Sequence, residues 1–400
     1  MNEILIKLAD DFNQELENIL EYWSLHTVDH QHGGFVGRID QTGRTVEFAS
    51  KGSVLNSRIL WTFSAALRHI GSEKLEKLAE RAYSYLVSNF WDKEQGGLFW
   101  EIDYKGNLLN TRKQAYSQGF GIYAFSEFYR ATGYQESLEY AIQLFYLSEK
   151  HFRDIENGGY IEALDKDWQP MEDVRLSAKD ANSPKSMNTH LHILEPCTNL
   201  YRVWPDERLK KSIQHVTQVF LDHIIDPESG HFKLFFDLDW TSHHNIISYG
   251  HSIEGAWLLR EAAIEIGDKN LQDRTNKAAL NLVDAVLKDG VDEDGSLFNE
   301  RKNGELDTDK DWWPQAEAMV GFMDTWQISG NPVYLDALQK SWDFIQQNVI
   351  DYENGEWFAR VNRGGIPYDG EDKVGFWKCP YHNTRSMLEL INRIKSVTEL

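Results

Sequence analysis

The sequence predicts an all-α protein, an (α/α)6 barrel in which six helical hairpins close into a ring and are joined by short β-hairpin-like turns. Three observations support this fold. A glycine turn recurs six times at a nearly constant spacing, segments with helical periodicity stand before and after each copy, and no linker or low-complexity segment divides the 400 residues. We therefore expect a single catalytic domain over residues 1–400.

The recurring turn consists of glycine, then an aromatic residue or leucine, then an extended run. It is clearest in HGGFVGRID from His32, QGGLFWEID from Gln95 and NGGYIEALD from Asn157, and it returns as SGHFKLFFD from Ser229, DGSLFNER from Asp294 and NGEWFARV from Asn354. The residues just before the aromatic residue or leucine are Gly34, Gly97, Gly159, His231, Ser296 and Glu356, at spacings of 63, 62, 72, 65 and 60 residues. Such a pattern is typical of a tight turn and a short strand.

A pair of helices is predicted around each turn. The preceding segments include AYSYLVSNFW and SWDFIQQNVI, and the following ones include SRILWTFSAALRHIG, GFGIYAFSEFYRATG, HSIEGAWLLREAAIEIG and AEAMVGFMDTWQISG. Several of the second set end in glycine, the usual signal for a helix C-terminus. Because the second set is also the more apolar and aromatic, we predict that it forms the inner ring.

The composition argues against two classes of partner. The net charge is −22, from 63 acidic and 41 basic residues, and such a field repels nucleic acid and anionic membranes. Two cysteines, Cys197 and Cys379, are too few for a disulfide framework. The N-terminal segment MNEILIKLADDFNQELENIL is predicted as an amphipathic helix rather than a signal peptide, and no apolar run would span a membrane. A cytoplasmic location is expected; the oligomeric state is not predicted.

Six functional-looking side chains recur in phase with the turns, close to the starts of the six inner helices. They are Arg58, Tyr116, Asn188, His251, Trp313 and His382, separated by 58, 72, 63, 62 and 69 residues. Each of them alone has a structural explanation, such as a surface cation or a core aromatic ring. Their shared phase is better explained by a site at one mouth of the barrel.

Helical spacing adds neighbours to this site. Asn188, His192 and Glu195 are spaced i, i+4 and i+7, on one face of a helix, although Pro196 is expected to kink or interrupt that helix. Glu254 lies three residues after His251.

Three histidines in one pocket, His192, His251 and His382, leave two chemistries open. They would come from three separate helices, so a three-histidine zinc site is one alternative. Acid–base chemistry fits better, because histidine titrates near neutral pH and a helix N-terminus keeps the ring neutral. Two bases on opposite sides of a carbon could epimerise it.

The aromatic and basic residues agree with a sugar substrate. Trp313 and Trp377 offer flat faces on which sugar rings stack, and Arg58 could stabilise negative charge on oxygen. A glycoside hydrolase is the rival on this type of barrel and would use two carboxylates from Asp180, Glu254 and Glu317. The histidines would then lack a role.

Five motifs in order, NSRILW, SMNTHLHILE, SYGHSIEGAW, WWPQAEA and WKCPYHN, resemble the N-acylglucosamine 2-epimerase superfamily, and most closely its cellobiose 2-epimerase branch. The resemblance covers nearly the whole chain. It implies an (α/α)6 barrel that needs no metal and no other cofactor and inverts C2 of a reducing-end aldose. Ring opening and removal of the C2 proton would give a cis-enediolate, which is reprotonated on the other face.

The resemblance also implies a role for each residue. His251 and His382 would be the acid/base pair, Glu254 would orient His251, and His192 would contact sugar oxygens and assist ring opening. The residues implied in substrate binding are Arg58, Tyr116, Asp180, Asn188, Trp313 (rather than Trp312) and Trp377.

The length of the sugar stays open at this point. Members of the superfamily act on cellobiose, lactose or mannobiose, on mannose and glucose, or on N-acylglucosamine, and some isomerise mannose instead. The widest spacing of the repeat falls at DKDWQPMEDVRLSAKDANSPKS, residues 165–186. We predict that this loop covers the mouth and decides between a disaccharide and a monosaccharide.

Overall fold

The computed structural model describes residues 2–398, so the two ends of the predicted 1–400 domain lie outside it. Its helices form two concentric rings. The inner ring consists of α2 (Ser53–Ile70), α4 (Ala115–Thr132), α6 (Met187–Tyr201), α8 (Tyr249–Glu265), α10 (Trp312–Ser329) and α12 (Tyr381–Thr398). The outer ring consists of α1 (Asn2–His26), α3 (Glu73–Asn89), α5 (Gln135–His151), α7 (Glu207–Val219), α9 (Lys269–Asp289) and α11 (Pro332–Phe344). Each inner helix packs against the next, and α12 closes the ring on α2, so the predicted (α/α)6 barrel is confirmed.

The two rings differ in how much of each helix is buried. In α4 every residue from Ala115 to Phe128 is buried, whereas α3 buries one stripe at helical spacing. The predicted glycine stops are present at Gly71, Gly133 and Gly330, which take positive φ and donate back to the preceding helical turn. In the described part of the chain no helix is both long and apolar enough to cross a membrane.

The six glycine turns are hairpins, as predicted, and all of them lie at the end where the inner helices begin. Each is closed by one antiparallel bridge: Val28–Phe35, Trp91–Leu98, Arg153–Tyr160, Ile225–Phe232, Val291–Leu297 and Ile350–Trp357. In the sixth turn Glu356 takes positive φ (61°) where the first three copies have a second glycine. Its buried carboxylate accepts from Lys378 and Asn383, both at 2.8 Å, and these bonds hold the unfavourable backbone conformation.

Short strands connect each repeat to the next. They are β1 (Lys51–Gly52), β2 (Glu101–Ile102), β3 (Leu108–Asn110), β4 (Lys113–Gln114), β5 (Ala163–Leu164), β6 (Lys185–Ser186), β7 (Phe235–Phe236), β8 (Ile246–Ser248), β9 (Glu300–Lys302), β10 (Glu305–Asp307), β11 (Lys310–Asp311) and β12 (Arg360–Val361). Five antiparallel strand pairs each join the residues before an inner helix to the extended segment that follows the next glycine turn. These pairs are β1–β2, β4–β5, β6–β7, β8–β9 and β11–β12. This pairing holds the starts of the inner helices at one level.

A buried lysine–aspartate pair ties the glycine turn to the segment before the inner helix in five of the six repeats, and no pattern noted in the sequence predicts it. The lysine precedes an inner helix and the aspartate opens the glycine turn: Lys51–Asp29, Lys113–Asp92, Lys185–Asp154, Lys310–Asp292 and Lys373–Asp351, at 2.7–3.0 Å. The fourth repeat has Ile247 at the corresponding position. Because a buried charge without its partner is costly, each pair ties a turn to its helix.

Of the kink or interruption expected at Pro196, the interruption is wrong, because α6 runs through the proline as one helix from Met187 to Tyr201. Proline removes the N–H that would bond to the His192 carbonyl. That carbonyl faces Gly119 of α4 instead, so closely that a Cβ on this glycine would lie 2.1 Å from the oxygen. A side chain at position 119 would therefore prevent this close approach of α4 to α6.

Candidate active site

The mouth of the barrel holds a cavity of about 420 Å³, bounded by the starts of the inner helices and by the connecting loops. All ten predicted site residues line it: Arg58, Tyr116, Asp180, Asn188, His192, His251, Glu254, Trp313, Trp377 and His382. The closed ring brings positions of equal phase to the same end, which is why side chains far apart in sequence meet here.

His382 is held by a carboxylate from a neighbouring helix. Its Nδ1 lies 2.7 Å from Oε1 of Glu317 on α10 and 3.8 Å from Oε1 of Glu254 on α8. Burial and the nearby Glu254 raise the pKa of Glu317, but the guanidinium of Arg385 donates to its Oε1 at 2.6 Å and favours the ionised form. Trp257 donates to its other oxygen, so the carboxylate accepts from Nδ1–H and leaves Nε2 of His382 with its lone pair. Burial and the nearby Arg58 cation hold the pKa of His382 well below its usual value.

Arg385 binds three carboxylates beneath the cavity. Its Nη2 lies 2.6 Å from Oε1 of both Glu254 and Glu317, and its Nη1 donates to Glu195. Burial raises the pKa of Glu254 to about 8 and lowers that of Arg385 to about 10. None of the sequence patterns described above includes Arg385, although its position three residues after His382 places both on one face of α12.

The structure corrects the expected link between Glu254 and His251. Glu254 contacts Arg385 and approaches His382, while Nδ1 of His251 lies 2.8 Å from Oγ of Ser248. In the described chain the hydrogen-bond donor to the Glu254 carboxyl group is the guanidinium of Arg385, at 2.6 Å. Burial alone lowers the pKa of His251 to about 4, so the ring is neutral at pH 7.

His192 also has a carboxylate behind it. Its Nδ1 lies 3.1 Å from Oε2 of Glu195, one turn further along α6, and its ring packs 4.9 Å from that of Tyr116. Burial, followed by the charge of Arg58, holds the pKa of His192 well below its usual value. The predicted shared face of His192 and Glu195 is thus present, and it provides a hydrogen bond.

Arg58 brings a positive charge to the cavity wall. Its Nη2 donates to the Tyr116 hydroxyl at 2.7 Å, and its guanidinium stacks 4.2 Å from the Phe120 ring. Within residues 2–398 no carboxylate lies within 4.0 Å of its nitrogens. Near Arg58, the buried side-chain oxygen of Asn188 has no hydrogen-bond partner in the described chain. A sugar hydroxyl could satisfy this oxygen, and a sugar oxyanion could satisfy Arg58.

Two tryptophans and a loop form the outer walls. The Trp313 ring lies 4.6 Å from that of His251 and 5.5 Å from that of His382, and Trp377 lies 5.9 Å from Tyr116. Trp312 also lines the cavity but approaches only one of these histidines, at 6.4 Å from His382.

The predicted loop, residues 165–186, contributes Leu176, Ser177, Lys179 and Asp180 to the wall. Asp180 Oδ2 accepts from the Ser177 amide at 2.8 Å, which fixes the local turn. An adjoining cavity of about 530 Å³ shares these four residues and extends to β9 and β10.

The three histidines do not form the zinc site considered above. Across the described chain, the one set of three potential ligand atoms within 4.8 Å of one another comes from Glu254, Glu317 and His382. Nη2 of Arg385 already donates to Oε1 of Glu254 and to Oε1 of Glu317, so a cation bound between these residues would have to displace the guanidinium. The donor set therefore suits hydrogen bonding better than metal ligation.

Comparison with known proteins assigns the family. Residues 33–385 match the N-acylglucosamine 2-epimerase (GlcNAc 2-epimerase) family. The chain belongs to this family. It is similar to the cellobiose 2-epimerase of Bacteroides fragilis, with 44% identity over 98% of this chain and 100% of that protein. The cellobiose 2-epimerase of Dictyoglomus turgidum is 37% identical over 97% of this chain and 99% of that one.

A solved structure agrees with these sequence matches. The cellobiose 2-epimerase from Bacillus thermoamylovorans B4167 superimposes with a TM-score of 0.93 at 38% identity, covering 97% of this chain and 99% of the other. The predicted family resemblance and isomerase class are thus confirmed, and the protein is a sugar 2-epimerase.

Proposed function

We propose that the enzyme reversibly inverts C2 at the reducing-end aldose of a disaccharide of the cellobiose, mannobiose or lactose type, by proton transfer between two histidines. The observation that carries this proposal is the placement of His251 and His382 on one cavity, with the Trp313 ring in contact with both. The substrate class follows from the relatives named as cellobiose 2-epimerases.

His382 is suited to remove the C2 proton. Its ring is neutral at pH 7 because burial lowers its pKa, and its Nδ1–H is directed at Glu317, so Nε2 can accept a proton. The imidazolium that forms would gain from the Glu317 carboxylate 2.7 Å away. No cofactor is needed for these steps, since each proton has a donor or acceptor in the chain.

Arg58 and Tyr116 would stabilise the cis-enediolate. The guanidinium has no carboxylate partner among the described residues, so it can pair with the negative oxygen that develops at O1 or O2. Asn188 would bind a neighbouring hydroxyl through its unpartnered oxygen, and His192 would assist ring opening.

The second sugar would lie between the tryptophans and the loop. The mouth cavity and its neighbour, about 420 and 530 Å³, lie in the range of ordinary ligand sites. Trp313 and Trp377 offer ring faces, and Asp180 lies on the loop segment 176–180 that bounds both cavities. We propose that this segment decides between a disaccharide and a monosaccharide such as mannose.

The geometry disfavours the hydrolase alternative. A glycosidase needs two carboxyl groups placed on either side of the scissile bond. Glu254 and Glu317 instead bind the same nitrogen of Arg385, and the Asp180 carboxylate is engaged by the Ser177 backbone. His251 and His382, both on the cavity, remain the groups suited to proton transfer at C2.

Proton NMR in D2O tests the reaction and the substrate together. The enzyme is incubated separately with glucose, mannose, cellobiose, mannobiose and N-acetylglucosamine. We expect the disaccharides to lose their C2 hydrogen signal and to show the H1 signals of the 2-epimer deuterated at C2, and we expect H251A and H382A to abolish both changes. H243A, at a solvent-exposed histidine, is the matched control and should retain activity. Release of new reducing ends would indicate a hydrolase, and conversion of mannose alone would refute the disaccharide assignment.

A further inference from the structure

The three histidines on the cavity differ in the group that holds Nδ1. His192 and His382 each place Nδ1 against a carboxylate, at 3.1 Å from Glu195 and 2.7 Å from Glu317. His251 places Nδ1 2.8 Å from the Ser248 hydroxyl. An ionised carboxylate can only accept a hydrogen bond, whereas a hydroxyl can donate or accept. The tautomer of His251 is therefore set by the direction of the Ser248 hydroxyl.

The surroundings of Ser248 determine that direction. Its Oγ caps α8 by accepting from the backbone N–H of His251 at 3.5 Å. Its own proton has one acceptor within hydrogen-bond distance among the described residues, and that is Nδ1 of His251. Ser248 is 93% buried and borders the adjoining cavity only with its remaining surface, so Nδ1 at 2.8 Å is the favoured acceptor for this proton. The hydroxyl therefore donates to Nδ1, and the ring carries its hydrogen on Nε2.

The backbone of Ser248 is fixed on both sides, which makes this hydrogen bond a built feature. Ser248 is the last residue of β8 and pairs with Glu300 of β9. Its carbonyl accepts from the Ser252 hydroxyl at 3.1 Å, one turn into α8. The hydroxyl is thus held at one place relative to the His251 ring.

We propose that Ser248 is a positioning residue that holds His251 as the Nε2–H tautomer, opposite to the Nδ1–H tautomer of His382. This inference rests on the proposed two-histidine epimerisation. The resting enzyme then presents a proton acceptor, Nε2 of His382, and a proton donor, Nε2–H of His251, to the same substrate carbon. The sugar epimer whose C2 hydrogen faces His382 is the one that the resting enzyme can deprotonate directly.

The proton balance closes over one turnover. The C2–H bond breaks, its electron pair stays on the sugar as the enediolate, and the proton passes to Nε2 of His382. The Nε2 proton of His251 then passes to C2 on the opposite face. The positive charge left on His382 and the negative charge left on His251 offset each other. Both rings return to their resting tautomers by exchanging protons with water.

Nitrogen NMR of the free protein tests the tautomers without any substrate. The protein is labelled with 15N-histidine, and the ring signals are assigned by their loss in H251Q and H382Q. We expect protonated Nε2 and unprotonated Nδ1 for His251, and the reverse for His382. S248T should preserve the His251 pattern and S248A should disrupt it. A His251 with protonated Nδ1 in the wild type would overturn the proposal.

Ser186 provides a matched control. Like Ser248, it is the last residue of a strand and caps an inner helix, accepting from the backbone N–H three residues on at 3.1 Å. Its hydroxyl contacts no histidine ring nitrogen among the described residues, since His190 Nδ1 bonds to the Ser186 carbonyl instead. S186A thus removes an equivalent helix cap and should leave the His251 tautomer unchanged.

The fate of the C2 hydrogen tests the consequence for catalysis. The measured quantity is the rate of C2 hydrogen exchange without inversion in D2O, divided by the rate of inversion. We expect S248A to raise this ratio by about fivefold, which is the factor for losing one neutral hydrogen bond. The rise should occur from one of the two epimers only, and S248T and S186A should keep the wild-type ratio. An equal loss of both processes in S248A would indicate a purely structural serine and refute the proposal. If the wild type epimerises no sugar, the proposed function fails, while the NMR tautomers still decide the role of Ser248.

Discussion

Replacing Glu317 with glutamine should slow epimerisation more than it affects folding. The substitution keeps the shape of the side chain but removes the charge that faces Nδ1 of His382 at 2.7 Å. Hydrogen bonds to charged groups contribute about 1.5–3 kcal/mol. Because the imidazolium of His382 exists only after proton removal, this loss falls on the transition state and predicts a decrease in kcat of about 10- to 150-fold.

The assay is the rate of C2 inversion followed by NMR, with unfolding in urea measured in parallel. Arg385 retains Glu195 and Glu254 as partners in E317Q, so the variant should still fold. E127Q is the matched control, because Glu127 is a buried glutamate on inner helix α4 that pairs with arginines at 2.8 Å. E127Q should lose stability and keep its kcat.

A folded E317Q whose kcat stays within about twofold of the wild-type value would refute this role of Glu317, because the expected decrease is much larger. It would also be refuted if E127Q and E317Q lost activity in proportion to their loss of stability. The first result would show that the carboxylate does not stabilise the imidazolium of His382, and the second that it acts only through folding.

Three further predictions follow from buried charges. R58M should lower kcat/KM by about 10- to 100-fold in the same NMR assay, because the cation 2.7 Å from the Tyr116 hydroxyl is lost. An unchanged kcat/KM would contradict the role of Arg58 in stabilising the oxyanion. K113M should lower the free energy of unfolding in urea by about 3–5 kcal/mol, since Asp92 loses its partner at 2.7 Å, and a cost below about 1 kcal/mol would contradict the ion-pair argument. Burial raises the pKa of Glu162 from its ordinary 4.5 to about 7. The folded state therefore binds more protons than the unfolded state between these pH values, so the free energy of unfolding of the wild type should fall as the pH rises from 5 to 8. In E162Q this fall should be smaller by up to about 3 kcal/mol. Equal falls in both proteins would contradict this assignment.

The sequence determined the fold and ten of the side chains that line the mouth cavity. Six glycine turns and six in-phase side chains are periodic, and a closed ring converts equal phase along the chain into proximity at one end. Arg58, His251 and His382 could therefore be placed at one mouth without coordinates. The predicted loop contributes Leu176 to the cavity for a similar reason, since the widest spacing of the repeat falls between two inner helices.

Only the tertiary structure decided which groups pair. Spacing assigns a side chain to a face of its own helix but does not say which neighbouring helix it meets. Glu254 lies three residues from His251 and yet binds Arg385, 131 residues away, because a buried carboxylate is stabilised by a cation more than by proximity in sequence. His382 likewise takes its partner, Glu317, from 65 residues earlier in the chain. The phase of the repeat thus predicts which side chains face the cavity, while the packing of helices across the ring determines their hydrogen-bond partners.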